Sequence, residues 1–371
     1  ILFSQKKYNE AIINYNEAIK IKPNYAEGHN NLALTLSFLK KFNESINNYQ
    51  QAIKIKPNYV EAYYNLALLL NNLGKINESI KNYHQAIKIK PDYIDAYKNL
   101  GKLLRKIGKI DEARKCFEKI SEFEPNNIEN KINRELLMPQ IAKSVKEINY
   151  YRNQYEKGLE NLKKHKYVTQ YPGLTIKINS FYLSYHNKDN LDLMIKTADL
   201  FKKMLPTINY VSKIPEKKGK KKIRIGFISE FLTDHTIGKL FGGLIKKINK
   251  KKFEVIVFHL EQTKKSKMKN EIDDSADKTV ILSIKIQEQQ RQIEKESLDI
   301  VFYPDIGMSP ITYFLPYSRF APVQIASFGH PETTGISTID YFLSLSGAAI
   351  LTYFSNIPLV LTTIFTLILG I

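Results

Sequence analysis

Apolar positions in the first third of the chain recur with two superimposed periods. The short period is helical. Between Val60 and Pro91, Leu66, Ala67 and Leu70 share one face, and Ser79, Tyr83 and Ala86 share another after an interruption at Gly74-Lys75. Two amphipathic helices in a hairpin are predicted, with the small residues at 67, 79 and 86 letting the backbones approach and Tyr83 filling the gap beside them. The long period is 34 residues: Pro23, Pro57, Pro91 and Pro125 end successive units, and Ala18-Ile-Lys-Ile-Lys-Pro-Asn-Tyr25 returns at Ala52–Tyr59 and, with Asp for Asn, at Ala86–Tyr93. A fixed period of this length marks a helical-hairpin solenoid, because one hairpin cannot bury its own apolar face and must stack on the next. Residues 1–22 supply only the second helix of a unit, and the unit ending in Ile110–Pro125 is expected to lose the pattern and merge into a cap.

Asn31, Asn65 and Asn99 occupy one slot of three successive first helices. Asparagine is mildly unfavourable inside a helix, so its repetition asks for a reason. First helices line the concave face of such a solenoid, and a ladder of amides there can donate to and accept from an extended backbone. The alternative is that recent duplication copied the residue in an asparagine-rich protein.

Beyond residue 138 the short period continues without the long one. Residues 140–166 and 190–205 read as helices, with turns at Tyr171-Pro172-Gly173 and Tyr185-His186-Asn187. The charged stretch Pro215-Glu-Lys-Lys-Gly-Lys-Lys-Lys222 is the best domain boundary. After it the pattern becomes strand-like. Apolar runs at 223–229, 253–258, 279–282, 298–303 and 323–328 alternate with helical stretches around 238–248 and 286–297, which predicts a parallel, Rossmann-like sheet. The fold class is therefore an α-solenoid followed by an α/β lobe: an array over 1–137, a helical connector and basic linker over 138–222, a lobe over 223–344 and an apolar tail over 345–371. No G-x-G-x-x-G follows the first strand, so a dinucleotide cofactor is not indicated. In such sheets the ligand crevice lies beyond the carboxyl ends of the strands. The unusual loops fall there: 229–237 with His235, Asp305-Ile-Gly-Met308, and Gly329-His-Pro-Glu-Thr-Thr-Gly335, whose glycines and hydroxyls suit an oxygen-rich ligand.

Composition changes this picture little. The 371 residues carry a formal charge of +19, but the lysines are spread along the chain, so a lysine-rich surface explains the charge better than a nucleic-acid footprint does. The single cysteine, Cys116, excludes an intramolecular disulfide and a cysteine zinc site, fits a reducing compartment, and sits at a helical core position. No metal site is indicated.

These motifs carry a resemblance. The 34-residue units resemble tetratricopeptide repeats. Lys222-Ile-Arg-Ile-Gly-Phe-Ile-Ser-Glu-Phe231 with His235, then Phe253-Glu-Val255, Ala321-Pro-Val-Gln324, the 329–335 loop and Asp340-Tyr341 resemble the N-terminal catalytic lobe of the O-linked N-acetylglucosamine transferase and SPINDLY-like family. The resemblance implies a two-lobed, metal-independent glycosyltransferase without a cofactor. It implies hexosyl, N-acetylglucosaminyl or fucosyl transfer from a nucleotide sugar, UDP-GlcNAc first and GDP-fucose second, to serine or threonine of proteins; the protein itself is expected to be cytoplasmic. His235 matches the active-site histidine of the family. Gly329 and Pro331 match its sugar-site loop, to which His330, Thr333, Thr334 and Gly335 belong. Asn31, Asn65 and Asn99 match asparagines that hold acceptor peptides in the solenoid groove. His330 stands for a usual tyrosine and Glu332 for a usual glycine, and Asp277-Lys278 stands where the animal enzymes carry a second histidine.

The family pattern stops after Ser344. Gly347–Ile371 is 25 residues without a charge, long enough to span a bilayer. Asn356 and Pro358 interrupt it and no basic cluster flanks it, so a truncated or frame-shifted reading is favoured over a tail anchor. A membrane partner would act only through this tail. The front end reads as clipped, since residue 1 lies inside a repeat. With no second lobe in view, the chain is expected to be inactive as written; the competing expectation is a non-catalytic scaffold that binds protein partners.

Overall fold

The computed structural model describes residues 7–176, 180–213, 222–327 and 333–343. The chain forms two compact units, Ile1–Arg134 and Glu135–Ile371.

In the first unit, α1 (Tyr8–Ile21) is followed by three hairpins: α2 (Ala26–Phe38) with α3 (Phe42–Ile55), α4 (Val60–Asn72) with α5 (Ile76–Ile89), and α6 (Ile94–Lys106) with α7 (Ile110–Phe123). The short α8 (Ile128–Glu135) follows. The interior is the one the periodicity predicts: Leu66, Ala67, Leu70, Ser79, Tyr83 and Ala86 are all buried. Each hairpin turns at a left-handed residue, Lys40, Gly74 or Gly108, with φ of 61°, 75° and 79°. The next amide then reaches back to the helix, from Lys41 to the Leu36 carbonyl, Lys75 to Leu70 and Lys109 to Leu104, each at 2.9 Å. This is the six-to-one closure that caps a helix C-terminus, and glycine adopts it without a Cβ penalty. Inside the first two hairpins, the Ser45 and Ser79 hydroxyls donate to the Ala33 and Ala67 carbonyls at 2.6 and 2.7 Å, which satisfies a buried polar group where the helices cross.

The last hairpin corrects the expected loss of pattern. Ala113, Phe117 and Ile120 take the slots of Ser79, Tyr83 and Ala86 and are buried, while Gly101 makes room for the Phe117 ring, which would sit 3.2 Å from a Cβ there. The apolar period persists and only its polar atoms are dropped.

In the second unit, six parallel strands lie in the order β3-β2-β1-β4-β5-β6: β1 (Ile223–Ile228), β2 (Phe253–Leu260), β3 (Lys278–Leu282), β4 (Ile300–Tyr303), β5 (Val323–Ser327) and β6 (Tyr341–Leu343). The order is that of a Rossmann sheet, and it reverses between β1 and β4, paired through Gly226 and Val301. The central strands are continuous apolar runs because helices cover both faces of a parallel sheet. Phe227 packs on Phe302 at 5.2 Å between ring centres, and Phe241 on Phe302 at 5.5 Å. The edge strand β3 is the one left largely exposed.

Residues 138–213 are more than a connector, and the basic stretch over 214–221 lies outside the described residues. The helices of 138–213, α9 (Val145–Leu162), α10 (Pro172–Thr175) and α11 (Leu191–Met204), belong to the same compact unit as the sheet. The remaining helices of that unit are α12 (Thr236–Lys247), α13 (Lys267–Ser275), α14 (Ile286–Glu294) and α15 (Pro310–Tyr313). Aromatic and backbone contacts hold the two segments together. Phe201 of α11 stacks edge-on against Tyr313 and Phe314 at 6.3 and 5.4 Å. The Arg319 amide donates to the Tyr210 carbonyl at 2.7 Å, and the Ser212 amide donates to the Arg319 carbonyl at 2.9 Å. Gln290 of α14 donates to the Thr207 carbonyl at 2.9 Å. A linker would leave these aromatic side chains in water.

Candidate active site at the strand switch point

In a sheet of this order the expected place for a ligand is at the carboxyl ends of β1 and β4, where the strand order reverses. From β1 comes Ser229-Glu230-Phe231, and from β4 comes Pro304-Asp305 through Ser309. Two serine–carboxyl pairs bridge these loops in opposite senses. The buried Ser229 hydroxyl donates to Asp305 while its oxygen accepts from the Phe231 amide at 2.9 Å. The Ser309 hydroxyl donates to Glu230, and the Ser309 oxygen accepts from the Ile311 amide at the start of α15, at 3.3 Å. Asp305 is only 2% exposed, and its Oδ2 is buried without a hydrogen-bond partner. Burial pushes its carboxyl up to about 7; the Ser229 bond works against that shift and the nearby Glu230 charge adds to it.

His235 ends the β1 loop and caps α12. Its Nδ1 accepts the Ile237 amide at 3.2 Å, so the neutral ring carries its proton on Nε2. The half-buried ring lies over Phe231, with centres 4.6 Å apart. The loop is tied on its other side to α13: the Asp234 amide donates to the Ser266 hydroxyl and the Asp234 carboxylate accepts from the Met268 amide, both at 3.2 Å. Gly238 permits the tight entry into α12, since a Cβ there would lie 2.0 Å from the Thr233 carbonyl oxygen. With one ring nitrogen committed to the helix, His235 presents a hydrogen-bond donor rather than a base.

Of the loop after β5, Gly329, His330 and Pro331 lie outside the described residues. Thr333, Thr334 and Gly335 are half-buried. The Thr334 hydroxyl oxygen accepts the Ile336 amide at 3.2 Å. Gly335, at φ 64°, lies so close to α11 that a Cβ would meet the Met194 carbonyl carbon at 2.3 Å. This end of the loop is anchored on the helix that sequence reasoning assigned to a connector. Sequence reasoning singled out the Asp305 loop but no residue within it. The available signal was a carboxyl placed directly behind an apolar strand of a parallel sheet.

In the array, Asn31, Asn65 and Asn99 are half-buried and part of their capacity is spent between repeats. Asn65 donates to the Asn30 side chain at 3.2 Å, Asn30 to that of Asn31 at 3.2 Å, and Asn99 to the Tyr64 hydroxyl at 2.8 Å. The slot therefore ties α2, α4 and α6 together. Among the described residues no helix is long and apolar enough to cross a membrane; the 345–371 tail lies outside them.

Comparison with known proteins agrees with this architecture. Residues 1–37, 39–74 and 69–108 match a TPR repeat model and 94–127 the tetratricopeptide repeat model. Residues 190–356 match glycosyl transferase family 41. The chain is 24% identical over 147 residues to the probable UDP-N-acetylglucosamine–peptide N-acetylglucosaminyltransferase SEC of Arabidopsis thaliana, covering 38% of this chain and 15% of that one. Among solved structures it is similar to a mutant O-GlcNAc transferase of Thermobaculum terrenum, with a TM-score of 0.48 and 15% identity over 91% of this chain and 53% of that one. It is also similar to YrrB, a TPR protein with an unusual peptide-binding site, with a TM-score of 0.36 and 16% identity over 43% of this chain and 78% of that one. The chain thus spans a minor part of the curated relative and about half of the transferase structure. A tetratricopeptide array followed by sequence of glycosyl transferase family 41 is the arrangement of the O-GlcNAc transferase and SPINDLY-like proteins, which the chain resembles in these segments.

Proposed function

We propose, against the inactivity expected from the sequence, that the protein transfers a sugar from a nucleotide sugar, UDP-GlcNAc first and GDP-fucose second, to serine or threonine hydroxyls of other proteins. The observation that carries this reading is His235, held by α12 at the carboxyl end of β1, beside the switch point, within the segment that matches family 41. The reaction needs the acceptor hydroxyl in line with the anomeric carbon, a place for its proton, and compensation for the departing diphosphate. The Nε2–H of His235 supplies the first by donating a hydrogen bond that orients the reacting oxygen. The array supplies the acceptor chain, through the amide oxygens of Asn65 and Asn99 and the neighbouring Asn31. Buried Cys116 is the only cysteine of the chain, and this fits a reducing compartment, so cytoplasmic proteins are the acceptors to test.

The test is incubation of the purified protein with UDP-GlcNAc or GDP-fucose and a serine-rich acceptor polypeptide, with modified residues mapped by mass spectrometry. Transfer that falls about 100-fold in His235→Ala, the scale of losing one positioned donor, supports the reading. No transfer from either donor overturns it.

A further inference from the structure

The repeats are near copies of one another, so slots that change character together in one of them need a cause. Four slots of the first helices do so. Asn30, Leu34, Ser37 and Phe38 of α2 return 34 residues later as Tyr64, Leu68, Asn71 and Asn72 of α4, all uncharged. The next copy, in α6, reads Lys98, Lys102, Arg105 and Lys106. By helical spacing these residues share with Asn99 the face of α6 opposite its buried Ala96, Leu100, Leu103 and Leu104. Lys98 is half-buried and steadied by Glu124 at 3.3 Å. Lys102 and Lys106 are exposed and enter no ion pair among the described residues. Asp95, in the first turn, is the only acid of the helix. A helix C-terminus favours cations in its last turn, which accounts for Arg105 and Lys106 but not for Lys98 and Lys102.

We propose that this face of α6 selects acceptor segments carrying a cluster of aspartate or glutamate. The inference rests on the reading in which the array holds the acceptor chain, and it adds the chemistry of that chain. From Lys98 to Lys106 the face runs about 12 Å, at about 1.5 Å per residue, which is the reach of about four residues of extended polypeptide. The matching faces of α2 and α4 carry amides and the half-buried Leu34 and Leu68, so they take neutral or apolar segments of the same chain. Leucines in the same row suit a polypeptide better than a polyphosphate, whose charge continues along its whole length. Exposed charge pairs of this kind set specificity and arrival rate more than affinity, and salt screens them.

The experiment measures binding by the full chain, without a nucleotide sugar, of serine-containing peptides of one length that differ only in a run of glutamate, glutamine or lysine. Fluorescence anisotropy at low and at raised salt reads it. The glutamate peptide is expected to bind about tenfold more tightly than the glutamine peptide at low salt, and to lose most of that margin as salt rises. Lys102→Glu with Lys106→Glu should erase the margin. Lys54→Glu with Lys88→Glu, at exposed positions of α3 and α5, changes the net charge equally and should keep it. Equal binding of the glutamate and glutamine peptides overturns the inference. So does an equal loss in both double variants, because the overall charge of +19 would then be the cause. A single-stranded RNA that binds more tightly than the glutamate peptide, and is lost in the Lys102 and Lys106 variant alone, assigns the face to polyphosphate and overturns it too. Failure of all three peptides to bind overturns the reading of the array as the acceptor holder, and this inference with it. No sugar transfer is read here, so the transferase reading stands or falls separately, on transfer from the two donors.

Discussion

The array and the lobe meet the same requirement, burial of apolar faces, by different means. In the array every contact is local: Tyr49 and Tyr83 are buried in equivalent hairpins, and each turn closes on a residue 34 positions from the last. In the lobe the decisive contacts are distant in sequence, such as Arg319 on Tyr210 and Phe201 on Phe314. Local repetition tolerates loss of single polar atoms, as the last hairpin shows by doing without the serine hydroxyl and the tyrosine. In the lobe, Oδ2 of Asp305 is one of several buried polar atoms without a partner, and it belongs to the carboxyl that burial pushes up to about 7.

The largest effect expected from this contrast concerns Asp305. Its folded pKa is raised from 3.8 to about 7, so its contribution to stability is complete below about pH 3.8 and is lost as pH rises through 7. Replacing it by asparagine removes that dependence, and the variant should gain on the wild type between pH 5 and 8.5 by about 3 kcal/mol. Urea denaturation at the two pH values measures it. A constant difference between the two proteins would place the carboxyl in water rather than in the sheet.

A smaller effect is expected in the array. Changing Asn31, Asn65 and Asn99 together to alanine should weaken binding of an extended peptide by about tenfold, or about 1.4 kcal/mol, as read by calorimetry. The inter-repeat bonds these amides make should cost the variant a few degrees of melting temperature. Unaltered peptide affinity would leave the slot with that structural role alone.

The smallest effect sharpens the comparison between repeats. Lys40 adopts at φ 61° the conformation that Gly74 and Gly108 adopt in the other hairpins. Lys40→Gly should stabilise the array by about 1 kcal/mol, the usual penalty of a left-handed non-glycine residue, visible as a shift in the denaturation midpoint. A loss of stability would mean that chain entropy outweighs the strain at this turn.

Much of the molecule was legible in its residues. Hairpin boundaries followed from Gly74 and the prolines, and the five main strands from apolar runs. The last hairpin was misjudged because Ala113 and Phe117 keep the volume of the pattern while dropping its polar letters. The site was half legible. His235 and the loops behind β1 and β4 stood out by position, but that Asp305 is buried with one oxygen unpartnered depends on contacts between loops more than 70 residues apart in the sequence. The same holds for α11, whose pattern says helix and nothing of its partner.

What the sequence by itself determined is therefore the local structure: hairpin length, helix faces, strand content and the order of the two units. A period of 34, or a run of apolar residues, is a statement about near neighbours, and near neighbours decide secondary structure. The tertiary structure alone decided which polar groups end up satisfied. The shift at Asp305 and the anchoring of Gly335 on α11 arise from burial and from contacts between distant segments, and a linear pattern carries no record of either.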